Sequence, residues 1–218
     1  LHFDGSGPTS FDTCVASADF TPALLARART LRQQIVALRL SKYNLGSPAS
    51  LPGTAGREAV LVPGQVANDA SIRLGARAVR DDGALLAAVR ARFPQAFLLY
   101  KPHPDTLSGL RDGRLAQAVA LDLADAVVER ADIADCLDWA DRVATITSLT
   151  GFEALLRGKA VTVFGRPFYA GWGLTDDVDP PVRSTRLTLD ALSAAALLLY
   201  ASYIDPVTRL PAPPEVAI

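Results

Sequence analysis

The sequence predicts an α/β protein built on a Rossmann-like parallel sheet with helices on both faces. Two observations lead there. From Glu58 onward short apolar runs alternate with helical stretches: Ala59-Val60-Leu61-Val62, Ala96-Phe97-Leu98-Leu99-Tyr100, Ala126-Val127-Val128, Arg142-Val143-Ala144-Thr145-Ile146 and Val161-Thr162-Val163-Phe164. Near-continuous apolar runs mark strands buried on both faces, which is the condition of a parallel sheet covered by crossover helices. Second, the residues with chemical use fall just after these runs, at the strand ends where such sheets bind ligands. About five strands are expected within residues 58–164.

The chain begins with residues 1–20, rich in Gly, Ser, Thr and Asp and short on periodicity, which read as loop or the remnant of an upstream element. Thr21 and Pro22 then open a helix as cap and first helical residue, with Leu24, Ala28, Leu31, Ile35 and Leu38 on one apolar face. Arg27, Arg29, Arg32 and Arg39 on the other side read as a solvated face. Residues 46–56, with two prolines and three glycines, read as a linker. The expected division is therefore a helical segment and linker over residues 1–50 and the Rossmann-like domain over 51–218.

After the first strand, Asp69 falls near the start of a helix, where an N-cap is a sufficient role. A helix over 83–93 leads to the second strand and to Lys101-Pro102-His103-Pro104-Asp105. Two prolines around His103 fix the backbone and present the imidazole rigidly, as a phosphate ligand needs, although a turn histidine can be purely structural. A helix over 132–140 connects to the fourth strand. Thr145-Ile146-Thr147-Ser148-Leu149-Thr150 then runs into a short helix over 151–157 ended by Gly158. A hydroxyl turn before a helix aims backbone N–H groups at an anion, or else merely caps the helix. The loop over 165–175 is rich in glycine and aromatics, fit to line a site or to plug the sheet end.

Composition narrows the functional classes. At 218 residues, half of them apolar, the chain buries a real core. The 22 basic and 23 acidic residues leave no electrostatic footprint for nucleic acid. Cys14 and Cys136 are too far apart and too few for a disulfide framework or a zinc site, and read as packing residues. No leader pattern occurs, and no apolar run approaches the roughly 20 residues of a membrane span, so a cytoplasmic location is expected. A chain that opens on Leu1 and contains no methionine is expected to be the C-terminal part of something longer. Gly-x-Gly-x-x-Gly, Gly-Lys-Ser/Thr and Gly-x-Ser-x-Gly are all missing, which disfavours dinucleotide cofactors, P-loop hydrolysis and α/β-hydrolase chemistry. The remaining convergence is on a nucleotide or sugar-nucleotide site.

Four extended motifs occur in order: Val60-Leu61-Val62-Pro63-Gly64-Gln65-Val66 with Asp69 and Ser71; Tyr100-Lys101-Pro102-His103-Pro104-Asp105; Thr147-Ser148-Leu149-Thr150-Gly151-Phe152-Glu153-Ala154-Leu155; and Phe164-Gly165-Arg166-Pro167-Phe168-Tyr169-Ala170-Gly171-Trp172-Gly173-Leu174-Thr175. With Leu40-Ser41-Lys42-Tyr43-Asn44 and the closing stretch through Tyr203-Ile204-Asp205-Pro206, the chain resembles the capsule polysaccharide biosynthesis proteins of the KpsC/LipA type.

That resemblance implies a retaining β-Kdo transferase at the cytoplasmic face of the inner membrane, with CMP-Kdo as donor and lipid-linked oligo-Kdo as acceptor. It further implies no metal and at most peripheral membrane association. The chain looks like the donor-nucleotide half of a GT-B glycosyltransferase, its partner being an N-terminal half of the same enzyme. Asp69 matches the family's nucleophile in a double displacement, which suits retention. His103 and Pro104 match the histidine–proline motif that contacts the CMP phosphate, and Ser148 and Thr150 match the hydroxyl turn beyond it. Gln65, Lys101, Gly151, Glu153, Arg166, Tyr169 and Trp172 complete the expected donor contacts. His103 and the hydroxyl turn, taken to follow neighbouring strands, are expected to converge on one phosphate-sized space. The alternative is a non-catalytic nucleotide- or sugar-binding module in which Asp69 is a cap and His103 a turn residue.

Overall fold

The computed structural model describes residues 7–42, 47–107 and 115–216. Tyr43 and Asn44 of the motif quoted above, and Gly46 of the linker, lie outside them, as do residues 1–6 of the N-terminal segment.

The sheet holds six strands among the described residues, in the order β3-β2-β1-β4-β5-β6, every pairing parallel. They are β1 (Ala59–Pro63), β2 (Phe97–Lys101), β3 (Ala126–Val127), β4 (Arg142–Thr145), β5 (Ala160–Val163) and β6 (Asp176–Asp177). The first five fall on the apolar runs, and β6 is an addition. Only two residues long, with aspartates at both positions, it carries no apolar signal, and is defined by pairing Asp176 and Asp177 with Thr162 and Val163.

Side-chain alternation sorts the strands into two cores. Val60, Val62, Leu98, Tyr100 and Ile146 pack on one face with helices α3 (Ala70–Gly75) and α4 (Asp82–Arg92), through Ile72, Leu85, Leu86 and Val89. Leu61, Leu99, Val143 and Val161 pack on the other with α7 (Ile133–Trp139) and α8 (Leu149–Leu156). Short capped helices make these crossovers: Asp81 accepts from the Ala84 amide, Asp132 from Ala134 and Ser148 from Thr150. Between β2 and β3 lie α5 (Pro104–Leu107) and α6 (Gln117–Leu123).

The N-terminal reading needs correction. Residues 10–17 form a capped helix, α1 (Ser10–Ser17), in which Thr9 accepts from the Asp12 amide while Asp12 accepts from the Thr9 amide. Phe11, fully buried, stands edge-on to Phe168 and to Tyr200 at centroid distances of 5.4 Å, within the second core. The capping box Thr9-x-x-Asp12 was a legible start signal, outweighed by the small polar residues around it.

The arginine reading also changes. Helix α2 (Pro22–Ala37) is capped by Thr21 as expected and buries Ala28 and Leu31. Its arginines are not simply solvated. Arg27 pairs with Glu215, Arg29 and Arg32 with Asp190 at the start of α9 (Leu189–Ala194), and Arg39 beyond the helix with Asp135 and Asp138. Leu38 follows the helix end and is exposed. In the linker, Ser47 forms a parallel bridge with Ala131 beyond β3. The chain then passes through a π-helical turn (Ala195–Tyr200) to the hairpin β7 (Tyr203–Ile204) and β8 (Pro211–Ala212).

Candidate functional site

A cleft of about 1270 Å³ opens at the carboxyl ends of β1, β2 and β4. Gln65, Asp69 and Ser71 line it after β1, Lys101, His103 and Pro104 at the end of β2, and Thr147, Ser148 and Thr150 after β4, with Glu153 and Arg166 on its wall. The topology reverses between β1 and β4, the crevice where sheets of this type take ligands.

The strand order corrects one expectation. His103 and Ser148 do not follow neighbouring strands, because β1 stands between β2 and β4. Gly64 marks where the ends of β1 and β2 meet. A Cβ built there would sit 2.9 Å from the His103 backbone nitrogen and 2.7 Å from Asp82 Oδ2, so only a glycine fits beside the histidine loop. Within that loop His103 Nδ1 accepts from the Asp105 amide at 3.2 Å, which assigns the proton of a neutral ring to Nε2.

Asp69 is exposed and does cap α3, with Oδ1 accepting from the Ser71 amide at 2.8 Å and the Ser71 hydroxyl at 2.7 Å. Behind it runs a directed chain of donors. Gln65 Nε2 donates to Thr147 Oγ1 at 3.0 Å, Thr147 Oγ1 to Ser71 Oγ at 3.3 Å, and Ser71 to Asp69. Gln65 Oε1 accepts from the Thr145 hydroxyl and the Thr147 amide, both at 3.0 Å, and Thr145 Oγ1 accepts from the Ser148 amide. Buried Gln65 thus joins the β1 loop to the β4 turn, and a change at either end is felt at the other.

Electrostatics divide the lining. Burial lowers the pKa of Lys101 and raises that of Glu153, whose Oε1 accepts from the Lys42 amide. A larger shift lies behind the lining, at a residue the sequence does not single out: Asp82, 5 % exposed, accepts from the Gln65 amide at 2.9 Å and the Tyr100 hydroxyl at 2.6 Å. Burial pushes it up to about 6, against weaker lowering by those two donors. Because its folded pKa lies above the unfolded value, stability from this group falls as pH rises from about 4 to about 6 and is level beyond, a change of about 3 kcal/mol. Urea unfolding of wild type and Asp82→Asn across pH 4–7 is expected to shift in the variant's favour by roughly that amount.

Two expected donor contacts are not at the cleft. Gly151 lies inside α8, where an added Cβ would overlap the Tyr169 hydroxyl and come within 2.8 Å of its ring carbon Cζ. Trp172 is buried in the second core and donates to the Phe168 carbonyl at 2.7 Å. The loop over 165–175 both lines the site and plugs the sheet end: Arg166, Pro167, Phe168 and Tyr169 line the cleft, while Trp172 fills the core behind it. Tyr169, fully buried, donates to the Ser148 carbonyl and braces the hydroxyl turn from behind. Arg166 lines the cleft while paired with Asp179 through Nε and Nη2 at 3.0 and 2.7 Å. Gly151→Ala should lose about 1–3 kcal/mol in chemical denaturation, because neither Tyr169 nor the helix can yield. Among the described residues no cluster of three His, Cys, Asp or Glu side chains could hold a metal ion, and no helix is long and apolar enough to cross a membrane.

Fold and cleft together define an α/β protein with a crevice site at a topological switch point. A family model described as capsule polysaccharide biosynthesis protein matches residues 48–205, and the chain belongs to that family. It is 44 % identical over 210 residues to the capsule polysaccharide modification protein LipA of Neisseria meningitidis serogroup A, covering 96 % of this chain and 30 % of LipA. It thus spans about a third of that relative's length. Among solved structures, the Thermosulfurimonas dismutans KpsC beta Kdo 2,7 transferase aligns with a TM-score of 0.82 at 34 % identity, covering 98 % of this chain and 66 % of that one. The KpsC beta Kdo 2,4 transferase of the same organism aligns at 0.81 and 34 %, covering 96 % and 66 %.

Proposed function

We propose that this chain is the donor-binding part of a capsule glycosyltransferase that transfers Kdo from CMP-Kdo, with retention, to a lipid-linked oligosaccharide at the cytoplasmic face of the inner membrane. The observation that carries this reading is the cleft itself: Asp69, His103, Ser148 and Thr150 line one crevice in a fold that aligns with Kdo transferases. Ser148 and Thr150 sit at the N-terminus of α8, whose dipole end favours an anion, and His103 lines the same cleft from the loop after β2. The protein groups offset the phosphate charge, and no metal takes part.

In this mechanism an Asp69 carboxylate oxygen attacks the anomeric carbon, the carbon–oxygen bond to phosphate breaks, and CMP leaves with the electron pair. An acceptor hydroxyl then attacks the same carbon and gives its proton to solvent, the ester carbon–oxygen bond breaks to restore the carboxylate, and the two inversions restore configuration. Ser71 holds Asp69 Oδ1 and fixes the carboxylate plane. The second reading, a non-catalytic sugar-nucleotide module, is favoured by the cap that Asp69 makes. The experiment for donor binding is calorimetric titration of CMP into wild type and His103→Ala. Loss of a charge-assisted hydrogen bond should weaken CMP by about 1.5–3 kcal/mol, and unchanged affinity in a folded variant would remove His103 from the site.

A further inference from the structure

Lys101 ends β2, is 9 % exposed, and lines the cleft. Among the described residues its ammonium makes one hydrogen bond, to the Glu129 carbonyl at 3.3 Å, and no ion pair with a carboxylate. Burial works against its charge, while Cys136 and Asp132 favour that charge more weakly from nearby. Asp132 is itself engaged in capping α7. A buried cation with no carboxylate in contact is costly, and an arriving anion offsets that cost.

Direction decides which anion. Glu129 follows β3, so the ammonium leans to the side of β2 away from β1, whereas the Ser148 turn follows β4 on the far side of β1. With strands about 4.8 Å apart, the ends of β2 and β4 are separated by roughly 10 Å before that lean is added. His103 lies in the loop beyond the strand and lines the cleft, whereas Lys101 is fixed in the strand, paired with Pro63. One phosphate cannot touch both Lys101 and the hydroxyl turn. Arg130, next in the chain to Glu129, also lines the cleft, so a second anionic group is accommodated on that side.

We propose that Lys101 is the counter-ion for the carboxylate of the donor sugar acid, and so the residue that selects acidic over neutral sugars, while the phosphate lies between His103 and the Ser148 turn. This rests on the CMP-sugar reading above. The shared chemistry is an anionic oxygen, and CMP and CMP-Kdo separate its two sources, phosphate and carboxylate. Titrations would compare wild type, Lys101→Met and Lys101→Arg, Met being chosen because it keeps the aliphatic volume and removes the charge.

Lys101→Met is expected to bind CMP within about twofold of wild type while losing about tenfold or more in affinity for CMP-Kdo, with Arg restoring part of it. Equal losses for both ligands would place Lys101 at the phosphate, and unchanged CMP-Kdo affinity would leave it a structural tie to Glu129. Either result overturns the assignment alone. Wild type that binds neither ligand overturns the CMP-sugar reading and this inference with it.

Discussion

Asp69→Asn, introduced into a polypeptide extended to the length of its relatives, is expected to lower Kdo transfer by on the order of 1,000- to 10,000-fold with little change in stability. The choice of Asn separates the two roles the carboxylate can have. An Asn oxygen accepts from the Ser71 amide about as well as Asp does, so the α3 cap survives. What Asn cannot do is form the glycosyl ester. Intact-mass measurement of the wild type with CMP-Kdo should find an aspartyl-Kdo adduct at Asp69, absent from the variant. Full activity in Asp69→Asn, or an adduct that persists there, would assign the chemistry to another residue and leave Asp69 as a cap.

Phe11→Ala is expected to cost about 3–5 kcal/mol in urea or thermal unfolding. Its ring is fully buried and packs edge-on against Phe168, Trp172 and Tyr200, with centroid distances of 5.4, 6.2 and 5.4 Å. Phe168 and Tyr169 in turn pack on Phe152 of α8 and brace the hydroxyl turn. A cavity at Phe11 should therefore also loosen the turn, and CMP affinity should fall with stability. A change below about 1 kcal/mol would mean that α1 is not part of the core.

The sheet was legible because each of β1 to β5 is an apolar run with its own crossover, and strand identity needs only local pattern. Strand order is a different matter. Nothing local places β1 between β2 and β4, which is why His103 and Ser148 were expected on adjacent strands. Helix α1 was hidden for another reason: its one large apolar anchor, Phe11, stands among small polar residues, and its burial comes from residues 157 and 189 positions later in the chain. At the site, loop position gave Asp69, His103, Ser148 and Thr150, all of which line the cleft. Asp82 is not legible in the sequence because it opens a helix next to Asp81 and looks like an ordinary cap, whereas its partners are Gln65, just after β1, and Tyr100 of β2. Gly151 and Trp172 share the motifs without lining the cleft, because a motif takes in residues that shape the turn as well as residues that face the crevice.

The most direct test of the central claim, that the cleft at the ends of β1, β2 and β4 takes a cytidine nucleotide, is saturation-transfer NMR of the chain with CMP, UMP and AMP at equal concentration. The expected result is strong transfer to the cytosine and ribose protons of CMP, much weaker transfer to UMP and AMP, and loss of the CMP signal in His103→Ala. No transfer to CMP, or equal transfer to all three nucleotides that His103→Ala leaves untouched, would contradict the account.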